Sequence, residues 1–208
     1  MAEKTIIFYA ARHGETELNA KNRFRGHNDV PLDANGRRQA AALAFYFQPI
    51  ELSHIIASDK RRAMETAKTI ADSKSMSVWS TPNLHPWDVG VFSGQPKNAE
   101  NKAKLECYIQ NPDEPIPGGE ALNEFKSRVR PCFKEAIEIA DRCGEPVLLV
   151  MHSSDIHEIG AMFCDSHLAT LVEPGGVVAV YVEDGRLGAE PIFRGRTASG
   201  PRRADTVS

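Results

Sequence analysis

The sequence predicts an α/β protein, a three-layer α/β/α sandwich with a mostly parallel central sheet. Three observations predict it. Short apolar runs alternate with helix-like stretches, the order in which helices come to cover a parallel sheet. Two of those runs, residues 5–11 and the "VLLVM" of "EPVLLVMH", are continuous and almost wholly apolar, as strands buried on both faces are. Each is closed by a histidine, His13 and His152. Ligands of such sheets collect beyond the carboxyl ends of the strands, so the two imidazoles are expected to meet there.

Element by element, the first strand runs to Ala11 and gives way to "HNDVPLDANGRRQA", a turn rich in Pro, Asp, Asn and Gly. A helix follows through "RRQAAALAFYF" and stops before Pro49. "LSHIIAS" reads as a second strand, and "DKRRAMETAKTIADS" as a helix with Asp59 near its start. "SVWST" fits a third strand. "NLHPWDVGVFSGQP" holds too many helix and strand breakers for regular structure and reads as a loop. Two helices, "KNAENKAKLECYIQNP" and "GGEALNEFKSRVRPCFKEAIEIADRC", are joined by "DEPIPGG". After the "EPVLLVMH" strand, "VVAVYVEDGRLGAEPIF" has the form of a hairpin turning at Asp184-Gly185. Residues 1–195 are expected to form one domain, and the polar tail 196–208 to be disordered.

Composition narrows the function. Of 208 residues, 41% are hydrophobic and 25% charged, an ordinary globular balance with room for one buried core. A net charge of −3 gives no reason to expect nucleic acid or an anionic membrane as partner. Cys107, Cys132, Cys143 and Cys164 lie far apart without a CxxC pair, so neither a metal site nor a disulfide framework is expected, and they read as buried small apolar residues. No signal peptide and no membrane-spanning stretch is visible, and the cytoplasm is the expected compartment. Oligomeric state leaves no trace in the sequence.

The first strand ends in "RHGET", and its chemistry suits phosphate. A phosphoryl group carries roughly two negative charges and is matched by the planar fork of an arginine. A neutral imidazole attacks phosphorus when one ring nitrogen is free and the other is held. Arg12 and His13 supply one of each, and Gly14 lets the backbone bend sharply behind them.

The surrounding residues extend the pattern. "ARHGETELNAKNRFRGHNDVPLDANGRRQA" carries an RHG motif, then Glu15 and Thr16, Asn19, Arg23, Gly26, Asp29-x-Pro31-Leu32 and Gly36-x-x-Gln39-Ala40. "IIASDKRRAMETAKTI" follows the form Ser-x-x-x-Arg-Ala-x-x-Thr-Ala, and "PGGEALNEFKSRV" and "VLLVMHSS" complete the series. In this order the segments resemble the histidine phosphatase superfamily, the phosphoglycerate-mutase-like fold. The resemblance implies that His13 attacks phosphorus and becomes phosphohistidine. It implies that Arg12, Arg62 and His152 neutralise the phosphoryl oxygens, and that Asn19, Thr16, Gly26 and Ser153 add hydrogen bonds to substrate. Arg23 is a further substrate-binding candidate or a loop charge, and Arg25 is expected to be a solvated or structural charge. His27, His54, His157 and His167 read as structural or surface residues, with His157 the best placed to support the site. Trp87 and Phe92 are expected to close the mouth of the pocket or pack the loop.

One feature departs from the family pattern. Many members carry a proton-transferring glutamate in a segment L-x-E-x-x-x-G, and here Leu84 and Gly90 align with Pro86 at that place. Asp88 is the first substitute, Asp155 the second and Glu15 a distant third. The expected activity is metal-independent, cofactor-free hydrolysis of a small phosphorylated substrate. The alternatives are a cofactor-dependent phosphoglycerate mutase, or a protein that binds a phosphorylated ligand without turnover. Lys97, Lys102 and Lys104, read as exposed, either bind a second acidic group or keep a helix soluble.

Overall fold

In the computed structural model, residues 4–164 and 171–195 are described. His167 and the tail 196–208 lie outside them. The elements run β1 (Thr5–Arg12), α1 (Glu17–Ala20), α2 (Ala34–Phe47), β2 (His54–Ser58), α3 (Arg61–Lys74), β3 (Val78–Thr81), α4 (Ala99–Gln110), α5 (Leu122–Cys143), β4 (Val147–Met151), α6 (Ser153–Phe163), β5 (Val177–Glu183) and β6 (Arg186–Phe193). The six strands form one mixed sheet in the order β3-β2-β4-β1-β5-β6. β1, β2, β3 and β4 pair in parallel, while β5 runs antiparallel to both β1 and β6.

Strand alternation divides the core between two helical layers. Phe8 and Ala10 of β1 and Val147, Leu149 and Met151 of β4 face one cluster, with Phe125, Val129 and Phe133 of α5. Tyr9, Ala11, Leu148 and Val150 face the other, with Leu43 and Phe47 of α2 and Ala63, Ala67 and Ile70 of α3. Both faces of β1 and β4 are therefore dry, which accounts for their unbroken apolar sequence.

Helix starts and turns follow local chemistry. α2 begins three residues earlier than its apolar pattern suggested, because the Asp33 side chain accepts from Gly36 N–H at 2.7 Å and caps it. α5 runs unbroken through Pro131. The hairpin turns at Asp184 and Gly185, with φ of 50° and 73°, the left-handed pair that a two-residue turn requires. Cys132 is buried, but Cys107 and Cys143 are exposed, contrary to their expected burial. Cys107 sits on α4, a helix without a single buried residue.

Topology places the site. Arg12 pairs with Met151 across the β1–β4 ladder, so His13 and His152 leave adjacent strands at the same level. β2 lies on the other side of β4 and delivers Ser58 and then α3, which carries Arg62, to the same edge. The backbone beyond β1 is closed by Gly175, whose N–H lies 3.1 Å from the carbonyls of both Arg12 and His13.

Candidate active site

His13 is fully buried. Its Nδ1 lies 2.6 Å from the Gly14 carbonyl, which only accepts, so Nδ1 carries the proton. The other nitrogen, Nε2, has no partner and keeps its lone pair. Burial and the nearby guanidinium groups of Arg62, Arg25 and Arg12 hold its pKa well below the ordinary imidazole value. The ring is thus a neutral base with one free nitrogen. Gly14 is packed so closely that a Cβ there would lie 2.4 Å from the Gly36 carbonyl oxygen.

The His152 ring centroid is 5.1 Å from that of His13. Its Nδ1 accepts from Arg62 Nε at 3.3 Å, which leaves Nε2–H to donate to Ser58 Oγ at 2.9 Å. Burial, then Arg62, holds this imidazole neutral as well.

Three guanidinium groups converge on the pair. Arg62 donates to the carbonyls of Asn28 at 2.7 Å and Gly26 at 3.1 Å. Arg12 donates to the Val172 carbonyl at 2.7 Å, while its buried Nε has no partner. Arg25 is only 9% exposed, so it is not the solvated loop charge expected from sequence. Burial lowers Arg25 to about 9, with Arg12 and Arg62 adding to the effect, and lowers Arg12 and Arg62 to about 10. Each group registers the cost of burial, and an arriving dianion would relieve it.

The remaining predicted residues fall into two sets. Ser153 stands on the wall of a cavity of about 440 Å³ that reaches from Gly26, Arg25, Arg62 and His152 toward α4 and α5. Gly26 is buried, with φ 47°. Thr16 is buried and caps α1, its hydroxyl donating to Asn19 Oδ1 at 2.8 Å. Arg23 does not join the cradle: it is exposed, and its Nη1 donates to the Gly94 carbonyl at 2.7 Å.

Asp88 lies in the loop between β3 and α4 but off the cavity wall, which its neighbours Trp87 and Val89 help to form. Its Oδ1 accepts from Gly90 N–H at 3.1 Å and its Oδ2 faces His27 Nδ1 at 3.3 Å. That is a turn cap. Asp155 is fully buried at the start of α6, accepting from His152 N–H at 3.2 Å, and burial pushes it up to about 8. Phe92 packs in the core beside Phe24 rather than on this cavity.

Two further wall residues were read from sequence only as a supporting histidine and a helix charge. Lys97, read as exposed, lines the cavity and is lowered to about 8 by burial. His157 lines it too, its imidazole lowered by burial and by Arg12 and Lys97. The loop that carries Trp87 is pinned from α5 by Arg128, which donates to the carbonyls of Asn83, His85 and Pro86 and grips both oxygens of Glu120. Among the described residues, no group of three or more His, Cys, Asp or Glu side chains is placed to hold a metal ion. Nor is any helix among them long and apolar enough to cross a membrane.

A free imidazole nitrogen facing buried guanidinium groups at the carboxyl edge of an α/β/α sheet belongs to the class of sites that suit a tetrahedral dianion. The model of the histidine phosphatase superfamily (branch 1) matches residues 8–186, and the chain belongs to that superfamily. A relative described as a probable phosphoglycerate mutase, GpmB of Enterobacter sp. (strain 638), is 33% identical over 148 residues, 69% of this chain and 68% of its own. Among solved structures, a phosphoglycerate mutase from Bacillus anthracis str. Sterne superposes with a TM-score of 0.75 at 24% identity, over 92% of this chain and 93% of that one. A mycobacterial glucosyl-3-phosphoglycerate phosphatase superposes at 0.73 and 22%, over 94% and 100%. At those identities the two structures establish the fold alone.

Proposed function

We propose that the protein is a phosphomonoester hydrolase working through a phosphohistidine on His13. The single observation that carries the reading is the state of that ring: buried, neutral, pinned at Nδ1 and unpartnered at Nε2. The Nε2 lone pair attacks phosphorus, the N–P bond forms and the P–O bond to the organic group breaks, with a proton going to the departing oxygen. Water then attacks phosphorus, the N–P bond breaks, and phosphate and an alcohol are the products. Arg12, Arg25 and Arg62 take up the equatorial charge in both halves, and no metal or cofactor enters the scheme.

The proton is assigned to His157. Asp88 is held by Gly90 and His27; Asp155 uses Oδ2 on the His152 backbone, keeps Oδ1 unpartnered and lies off the cavity lining, whereas His157 is on it. As a free base it takes the proton of the attacking water. The imidazolium required for the first half is favoured by the arriving phosphoryl dianion.

The GpmB relative and the cationic Lys97 wall support a second reading, phosphoryl transfer between positions of one substrate. One experiment addresses all readings. The protein and His13→Ala are incubated with 32P-labelled phosphoramidate and then given 3-phosphoglycerate or a phosphate-ester panel. Acid-labile label on the wild type alone, followed by release of inorganic phosphate, is expected. Formation of 2-phosphoglycerate instead establishes the mutase, and no label on wild type leaves a binding protein.

A further inference from the structure

We propose that the substrate's organic part is a compact apolar body, an aliphatic or aromatic group rather than a sugar or other polyol, held in the cavity beside His152. This deepens the reading of His13 as nucleophile and rests on it. At about 440 Å³ the cavity is in the range of sites that hold a whole organic ligand rather than a phosphoryl group alone. Beyond its cationic end, the walls include Phe24, Trp87, Leu105, Ile109, Leu122 and Phe125. Lys126, Ser153, His157 and Glu158 are also on the lining.

A polyol would need hydrogen-bonding groups along this wall, and three of the polar residues there, Trp87, Ser154 and Glu158, are engaged by protein partners, while Ser153, Lys126 and His157 share the lining. Trp87 Nε1–H donates to the Glu120 carbonyl at 3.1 Å. Ser154 Oγ accepts from Trp87 N–H and donates to Asp155. Glu158 is held by Arg130 Nε at 2.6 Å and Nη2 at 2.5 Å. Lys97 lies over the Phe24 ring, its Nζ 5.3 Å from the centroid, so its stem also covers apolar wall. Hydroxyls of a sugar seated against the apolar part of this wall would lose water with few replacements.

α4 supplies the second line of argument. None of its residues is fully buried: Leu105 and Tyr108 pack partly against the core, and Leu105 and the 43%-exposed Ile109 also line the cavity. An apolar ligand is what would cover them.

The test is equilibrium binding of non-hydrolysable alkylphosphonates, methyl to octyl, with glycerol- and sugar-like phosphonates of matched size, read by calorimetry. Affinity is expected to rise about fourfold per methylene, the equivalent of about 0.8 kcal/mol, until the cavity fills, with hydroxylated analogues at least about 30-fold weaker. Leu105→Asn and Ile109→Asn flatten the series, while Phe45→Asn, on a fully solvated part of α2, keeps its slope. A flat series, or stronger binding of the polyols, overturns the inference even if His13 takes up label. A steep apolar series without label on His13 upholds it and overturns the catalytic reading.

Discussion

At the residue scale, the nitrogens of His13 have separate tasks: the Gly14 carbonyl fixes one, and burial among arginines keeps the other deprotonated. Proton transfer to the leaving group is a different matter, and in the proposed reading it falls to His157. His157→Asn is expected to slow turnover of an alkyl phosphate about 100-fold or more, and that of an aryl phosphate, whose leaving group needs no acid, only a few-fold. Asp88→Asn should affect both substrates alike, since it removes a turn cap. Steady-state rates on the two esters separate the cases, and equal losses in His157→Asn would defeat the assignment. The convergence of His13 and His152 was legible because a strand that buries both faces has a sharply marked end. Arg25 was not: within "RFRG" nothing distinguishes a charge folded under a loop from one in water, and the family pattern drew attention to Arg23. Asp88 misled for a related reason, because an acid in a loop has the same sequence signature whether it caps a turn or serves a substrate.

At the element scale, the segment from Asn83 to Gly94 holds its shape with only two short 3₁₀ turns of its own. α5 supplies the order, through Arg128 and its ion pair with Glu120, which also accepts from Asp88 N–H at 2.9 Å. Arg128→Ala is expected to cost about 2–3 kcal/mol, since several carbonyls and a carboxylate lose their donor together. Urea denaturation measures the loss, and limited proteolysis should show new cleavage between residues 82 and 96. Strands and hairpin were legible here, from apolar runs and Asp184-Gly185. The loop's fixed form was not, because its anchor lies some 40 residues away on α5. α4 was legible as a helix but not by its role, since Leu105 and Ile109 line a cavity that no local pattern announces.

For the whole molecule, burial of titrating groups sets a pH optimum for stability. His13 and His152 stay neutral in the fold but protonate near 6.5 once unfolded. Below that pH the unfolded chain binds more protons, and each histidine removes up to about 1.4 kcal/mol per pH unit as acidity rises. Asp155 has the opposite sign. Pushed up to about 8, it keeps in the fold a proton that the unfolded chain releases near 3.9, so its contribution falls as pH rises toward 8. Two histidines outweigh one aspartate below about 6.5. Above it the histidines are neutral in both states and the aspartate slope remains. Thermal melts should therefore show a maximum near pH 6.5 and a decline toward 8 that Asp155→Asn abolishes. A wild-type Tm level across that interval would refute the assignment.

The place of β1 in the sheet has a consequence for biosynthesis. The strand that leads to His13 is translated well before its sheet neighbours, Val147–Met151 and Val177–Glu183. A ribosome therefore exposes an apolar ribbon with two bare edges for most of the time the chain takes to emerge. Closing such distant pairings is slow, and unpaired edges invite contacts between nascent chains. The pocket around His13 and His152 is completed only when a segment far away in sequence slots in beside β1.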